Sequence, residues 1–430
     1  MVELPDRSRP ARSRAGHGLT QALRSAPHVA RASALGLCAL TALTLAGCGA
    51  PTEDPPPPTP VLPAPATLPA GETPPSASLP PEADPPPPAP ADSGLAVALQ
   101  PLLDDWLQQQ GVPGAVLGLR LADGRTAVLA AGSTDDVDGE PIQPGHRFRI
   151  GSITKTFVAT LVLQLVDEGL VDLDEPAGAY LPEAPFAGQV TVRQLLSHTS
   201  GVPDFGRHED YARLILLQPA REWTPTEVLA LVEDQPLDFE PGSRTAYSNT
   251  NYTLAGMIVE TTTGQPLADA LRQRILEPAG METTFLEGME PAPEMDVAGH
   301  FDINMDGQPD NVRAISYTGL VTSGSAAGGL SSNALDMLQF SEALFRGQLV
   351  SHAALDEAVP AQPGEHGLGI ISASRDGMVA YGHDGALPGF AAAFAYLPEV
   401  EVSIVALSNQ TGADVHGLIS AALAEVMELR

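Results

Sequence analysis

The stretch Phe148 to Thr156 reads F-R-I-G-S-I-T-K-T, and its lysine, Lys155, is the only lysine among 430 residues that carry 22 basic side chains. Every other basic residue is arginine, so a generic solvated cation is written as Arg in this chain. A lone Lys three residues after a Ser points to a task Arg cannot perform. Arg keeps its proton near neutral pH, whereas an amine can lose it once burial or nearby charge lowers its pKa from about 10.4. Outward from this pair, Phe157, Leu161, Leu165 and Val166 recur on one helical face and Gly169 follows as a stop. The spacing predicts a helix over Ile153 to Glu168 with Ser152 at its N-terminus. Positions 152 and 155 then lie one turn apart on one face. Lys155 is placed to take the Ser152 proton, and the helix N-terminus favours both a neutral amine and a developing alkoxide.

Further out, Leu95 to Gln110 reads as a helix stopped by Gly111, and Ala115 to Leu121 with Thr126 to Ala131 as a hairpin about Asp123-Gly124. From Val190 to Ala279 the pattern is helical, over Val192 to Ser197, Glu209 to Leu216, Pro225 to Glu233, Tyr252 to Thr263 and Ala268 to Ile275. Met378 to Gly382, Ala391 to Leu397 and Val402 to Ser408 read as strands, and Val415 to Leu429 as a closing helix. Helices at both ends around a sheet, with a helical insertion between, make an α/β architecture in two interleaved parts, expected over residues 94–430.

The N-terminal part reads as targeting. Six Arg precede the apolar run A-S-A-L-G-L-C-A-L-T-A-L-T-L-A, which ends on Leu45-Ala46-Gly47-Cys48. The run is short for a membrane span and has the form of an export signal. Its end resembles a bacterial lipobox, so residues 1–48 are expected to be a lipoprotein signal with Cys48 the lipidated first residue of the mature chain. An ordinary secretory signal with a chance Cys is the alternative. Cys38 leaves with the signal, and a single remaining Cys forms no intrachain disulfide. Residues 49–93 are rich in Pro, Ala, Glu and Asp, with PPPP at Pro55 to Pro58 and Pro85 to Pro88. Such a tract cannot build a core and serves as a tether spanning up to roughly 140 Å in polyproline form. The net charge of −31 at pH 7 argues against nucleic acid or anionic lipid as partner, since both repel an acidic surface.

Five blocks carry a resemblance. They are F-R-I-G-S-I-T-K-T, L-L-S-H-T-S-G-V-P-D (Leu195 to Asp204), F-E-P-G-S-R-T-A-Y-S-N-T-N-Y (Phe239 to Tyr252), G-L-S-S-N-A-L-D-M (Gly329 to Met337) and Y-G-H-D-G-A-L-P-G-F (Tyr381 to Phe390). In this order they resemble the serine hydrolases related to class C β-lactamases and D-alanyl-D-alanine carboxypeptidases, with the penicillin-binding-protein-like fold of an antiparallel sheet flanked by helices and an inserted helical subdomain. The resemblance implies that Ser152 is the nucleophile, Lys155 its base, and Tyr247 and Asn249 a Y-x-N element. It sets His383-Asp384-Gly385 where relatives carry K-T-G or H-x-G. A phenolate-capable Tyr247 can relay a proton, Asn249 can hold a substrate carbonyl, and the backbone N–H groups of Ser152 and Ala386 can form an oxyanion hole. Read without the family, Tyr247 is a core aromatic, Asn249 a turn residue and His383 the end of a strand; His198 is expected to order a turn.

Asp384 fills the position where relatives offer a hydroxyl. If it points into the cleft it repels a substrate carboxylate, favouring neutral or cationic acyl donors; if it faces the far side of its strand it does not. In D-I-N-M-D-G-Q-P-D, the residues Asp302, Asn304, Asp306 and Asp310 match four ligand positions of a calcium loop, but Arg313 stands where the bidentate Glu belongs. Calcium and a plain Asp-Gly hairpin both remain open, and no cofactor is required for the expected chemistry. The expected protein is an exported, lipid-anchored hydrolase of the bacterial cell envelope, facing the periplasm or the outside. It acts through an acyl-enzyme on a small-molecule or peptide substrate such as a peptidoglycan stem peptide. D,D-carboxypeptidase or esterase activity ranks ahead of β-lactamase, and a non-catalytic binding lipoprotein is the rival of another class. An α/β-hydrolase is excluded because no G-x-S-x-G occurs.

Overall fold

A computed structural model describes residues 92–135, 139–295, 297–375 and 377–428. The expected signal, its Cys48 and nearly all of the tether therefore lie outside the described residues. Asp92 starts the first helix, α1 (Ser93–Gln110), by accepting hydrogen bonds from Gly94 N and Leu95 N, and Gly111 closes it in the left-handed conformation.

A six-stranded antiparallel sheet forms the frame. Its strands are β1 (Gly114–Arg120), β2 (Thr126–Gly132), β8 (Ile371–Arg375), β9 (Met378–Leu387), β10 (Phe390–Leu397) and β11 (Val402–Ser408), in the order β2-β1-β11-β10-β9-β8. The shorter strands β3 (Phe148–Arg149), β4 (Phe285–Leu286) and β7 (Leu330–Ser332) make a second sheet, and β5 (His300–Phe301) pairs with β6 (Asp310–Asn311). The first and last strands of the chain meet in the large sheet: Ala115 on β1 and Ala391 on β10 both pair with Ser408 of β11.

The sheet is covered on both faces, so its central strands read as continuous apolar runs. Leu117, Leu119, Ile404 and Ala406 pack beneath α1 and the last helix, α11 (Val415–Glu428), whose Leu418 and Leu423 are buried there. Val116, Val405 and Leu407, one residue out of step, belong to the larger core on the other face. That core is filled by the helices α2 (Thr154–Asp167), α6 (Asn249–Thr263), α8 (Thr318–Gly328) and α9 (Ala334–Phe345). The inserted subdomain adds α3 (Val192–Leu196), α4 (Glu209–Leu217), α5 (Pro225–Leu229) and α7 (Leu267–Leu271), which runs into a π-helical turn over Arg272–Leu276; α10 (His352–Ala358) follows α9. Phe157 of α2 stacks on Phe340 of α9, both fully buried.

Two boundaries differ from the sequence expectation in ways that matter to the site. α6 begins at Asn249, three residues early, because Asp204 from a distant loop accepts the Asn249 N–H at 3.1 Å and takes the place of a local cap. β9 runs on to Leu387 instead of ending at Gly382. Its glycines are there because backbone passes close by: a Cβ on Gly382 would collide with the Phe394 carbonyl, and one on Gly385 with the Ile150 carbonyl.

Candidate active site

The Ser152 region is a 3-10 turn, Gly151–Ile153, leading into α2. Gly151 has φ 51°, and a Cβ there would lie 2.8 Å from Ala386 N; a Cβ on Gly385 would lie 3.0 Å from Ser152 N. Only glycine lets the turn and the end of β9 press together in this way. The contact brings the Ser152 turn and the Ala386 end of β9 together, where an oxyanion hole built from their amides would lie.

Lys155 is completely buried. Its Nζ lies 3.2 Å from Ser152 Oγ, 2.9 Å from Asn249 Oδ1 and 2.5 Å from the Ala327 carbonyl. Burial disfavours the ammonium and lowers the Lys155 pKa to about 7, against the opposing pull of Asp204 and Asp384. An amine poised near neutrality, in contact with a serine hydroxyl, is a competent general base.

Tyr247 OH donates to Ser152 Oγ at 2.6 Å, and its ring centroid lies 4.7 Å from Lys155 Nζ. Burial pushes the phenol pKa far above its ordinary value, with the Ser152 hydrogen bond opposing. The phenolate considered from sequence is thus disfavoured: Tyr247 is a neutral hydrogen-bond donor, able to pass on its proton only as it receives another. Asn249 turns Oδ1 to Lys155 and Nδ2 to the Asp204 carboxylate, at 3.2 and 3.4 Å. One Nδ2 hydrogen is spent on Asp204, which leaves the second for a substrate oxygen.

His383 is buried on β9, with Nδ1 2.6 Å from the Asp384 carbonyl. Desolvation lowers its pKa to about 4, so the ring is neutral, donating through Nδ1 and presenting Nε2 as an acceptor. Asp384 is not in the cleft. Its cross-strand partner Ala393 lies in the core under α1 and α11, whereas Phe394, opposite His383, lies in the core on the Ser152 side. Strand alternation therefore turns the Asp384 carboxylate outward, 3.9 Å from His416 of α11. Burial alone would raise its pKa, but the His416 interaction brings it to about 2. The expectation that Asp384 meets a substrate carboxylate is overturned: its side chain acts on the site only as a charge behind the sheet, and its backbone carbonyl holds His383.

His198 orders a turn, as expected. It has φ 58° and is buried; its Nδ1 lies 3.2 Å from both Ser248 N and Asn251 Nδ2, and its ring packs against Tyr247. Three contributors escaped the sequence reading. Asp204 closes the second quoted block and is the acceptor that orients Asn249. The Ala327 carbonyl is aimed at Lys155 after a break in α8 at Ser325, where φ is 24° and ψ −108°; a carbonyl has no residue-type signature. His366 stands edge-on to Tyr247 and His198, in a segment with no chemical motif.

The calcium expectation finds no support. Asp302 accepts Asp306 N and Gly307 N, Asn304 accepts Asp306 N, Asp306 accepts Gln308 N, and Asp310 accepts Ile303 N. The loop spends its oxygens on its own amides between β5 and β6. Among the described residues no group of three or more His, Cys, Asp or Glu is placed to hold a metal.

Residues 98–426 match the Beta-lactamase family. The chain is 31% identical over 337 residues to penicillin-binding protein 4 of Amycolatopsis lactamdurans, covering 71% of this chain and 82% of that one. It is 26% identical to penicillin-binding protein 4* of Bacillus subtilis, over 65% of this chain and 64% of that one. Against esterase EstB of Burkholderia gladioli identity is 34%, over 51% of this chain and 57% of that one. The chain thus spans less than two thirds of the length of several curated relatives. Among solved structures, D-amino acid amidase from Ochrobactrum anthropi SV3 superposes with a TM-score of 0.70 at 31% identity, covering 79% of this chain and all of that one.

Proposed function

Because the chain belongs to the Beta-lactamase family, we propose that it is a serine hydrolase working through an acyl-enzyme on Ser152, with D-amino-acid amides, peptides or esters as its substrate class. The observation that carries this reading is the chain Tyr247 OH, Ser152 Oγ, Lys155 Nζ at 2.6 and 3.2 Å, with the amine pKa brought to about 7. Neutral Lys155 takes the Ser152 proton as Oγ attacks the acyl carbon, and the N–H groups of Ser152 and Ala386 hold the oxyanion. The leaving nitrogen or oxygen receives its proton from Tyr247, which is made good by the Lys155 ammonium. Water then attacks the ester, with Lys155 again as base. None of these steps uses a cofactor.

Substrate preference follows from the third motif. It carries no cation, since His383 is neutral and Asp384 faces α11. Substrates with no carboxylate beside the scissile bond suit such a cleft, which supports a preference for amides and esters over β-lactams. The similarity to proteins named D-amino acid amidase, D-aminopeptidase and esterase supports the same ordering. Fluorophosphonate labelling of wild type and of Ser152→Ala, followed by a panel of a D-amino-acid amide, a D-Ala-D-Ala peptide, a p-nitrophenyl ester and nitrocefin, tests the proposal. Labelling that survives Ser152→Ala refutes Ser152 as the nucleophile, whereas no labelling of wild type together with no turnover of any substrate refutes the hydrolase and favours the binding lipoprotein.

The Arg-rich start, the apolar run and L-A-G-C support a place for this enzyme in the cell envelope. In this reading Cys48 carries lipid, residues 49–93 hold the hydrolase away from the membrane, and stem peptides of peptidoglycan lie within reach.

A further inference from the structure

Tyr247 serves the site only while its hydroxyl stays in reach of Ser152 Oγ, 2.6 Å away. That bond uses the single polar atom of the side chain, so packing must fix the ring. His198 lies against it, with ring centroids 4.4 Å apart and planes tilted by 30°, and His198 is itself held by Ser248 N and Asn251 Nδ2. His366 makes a further ring contact: its imidazole stands T-shaped to Tyr247 at 6.4 Å and to His198 at 5.6 Å.

His366 sits on a pinned loop. Just after it, Gly369 donates its N–H to the Leu196 carbonyl at the end of α3, at 3.3 Å, and its own carbonyl accepts from Thr156 Oγ1, next to Lys155, at 2.8 Å. A Cβ on Gly369 would collide with Ala159 of α2, so the close approach requires glycine. Neither ring nitrogen of His366 has a hydrogen bond among the described residues, and the ring is neutral because burial lowers its pKa against the pull of Asp384. Its hold on the site is therefore through ring contact, in which the edge of one aromatic ring meets the face of another.

We propose that His366 is a positioning residue for Tyr247: anchored to α2 and α3 through its loop, its ring completes with His198 the wall that keeps the Tyr247 hydroxyl aimed at Ser152 Oγ and at the departing atom. On the acyl-enzyme reading, on which this role rests, loss of the contact lets the phenol move out of hydrogen-bond reach and slows protonation of the leaving group. Attack by Ser152 depends on Lys155, whose hydrogen bonds do not involve His366, and that step is kept.

The ethyl and p-nitrophenyl esters of N-acetyl-D-phenylalanine share an acyl group and separate the two steps. Ethoxide is a strong base that must be protonated as it leaves, whereas p-nitrophenoxide departs as the anion. His366→Leu should lower kcat/KM for the ethyl ester about tenfold and leave the p-nitrophenyl ester and the rate of fluorophosphonate labelling within about twofold. His366→Phe, which keeps a ring and gives up both nitrogens, should restore the ethyl ester to within about threefold of wild type. The ratio of the two esters on one preparation does not depend on how much of it is folded, so a merely structural role would leave that ratio at its wild-type value. An unchanged ratio in His366→Leu, or His366→Phe no better than His366→Leu, overturns the proposal, as does a wild type that turns over only the p-nitrophenyl ester, where Tyr247 need deliver no proton. Wild type that is neither labelled nor active on either ester would instead overturn the hydrolase reading, and the role of His366 with it, before any variant is made.

Discussion

The ionisation of Lys155 sets a measurable pH dependence. Its folded pKa of about 7 is depressed by burial, so the active neutral form is lost as pH falls. With a pKa of 7, about 9% of the amine is neutral at pH 6 and about 91% at pH 8, so kcat/KM for a neutral p-nitrophenyl ester should rise about tenfold between them. Kcat/KM is the right quantity because it reports the free enzyme, whose contacts are those described. Asp204 supplies the largest charge opposing the depression, through a carboxylate that also grips Asn249. Asp204→Asn removes that charge and keeps an oxygen for the Asn249 N–H. The limb should then move to lower pH, while the maximal rate falls because the Asn249 amide is less firmly oriented. Lys155→Arg should lose the reaction by at least about a thousandfold at any pH below 9, since Arg stays protonated. A profile flat from pH 6 to 9 would refute Lys155 as base. A limb above pH 10 would transfer the role to Tyr247, whose phenol is held protonated at neutral pH, and an upward shift in Asp204→Asn would refute the electrostatic account.

Other outcomes follow from where particular side chains lie. Asp384→Thr should change kcat/KM for nitrocefin and for a p-nitrophenyl ester alike, within a few fold, because the Asp384 side chain meets His416 on the far face of β9; a selective gain for nitrocefin would return Asp384 to the cleft. Melting curves in calcium and in chelator should coincide, since the oxygens of the 302–310 loop already serve its own amides; a calcium-dependent rise would show a site there. Cys48→Ala should move the full-length protein from the detergent phase to the aqueous phase, and unchanged partitioning would show a different anchor.

The sequence by itself determined what is local or written in residue type. The unique Lys155, its three-residue spacing from Ser152 and the apolar face of α2 follow from helix geometry over a single turn, and the closing strands follow from runs of β-prone residues. The family blocks were legible because each holds a short stretch of backbone in a demanding conformation, as Gly151 and Gly385 do where the Ser152 turn meets β9. Tertiary structure decided everything that depends on residues far apart in the chain. Burial of Lys155 requires α6 and α8 to close over it, and only that burial carries its pKa toward 7. The orientation of Asn249 and the early start of α6 come from Asp204, 45 residues upstream, and the third acceptor for Lys155 from a carbonyl 172 residues downstream. The face taken by Asp384 could not be read either. Alternation along a strand fixes which residues share a face, but the sheet's neighbours decide which face looks into the cleft, and here the packing of α1 and α11 gave Asp384 the other one.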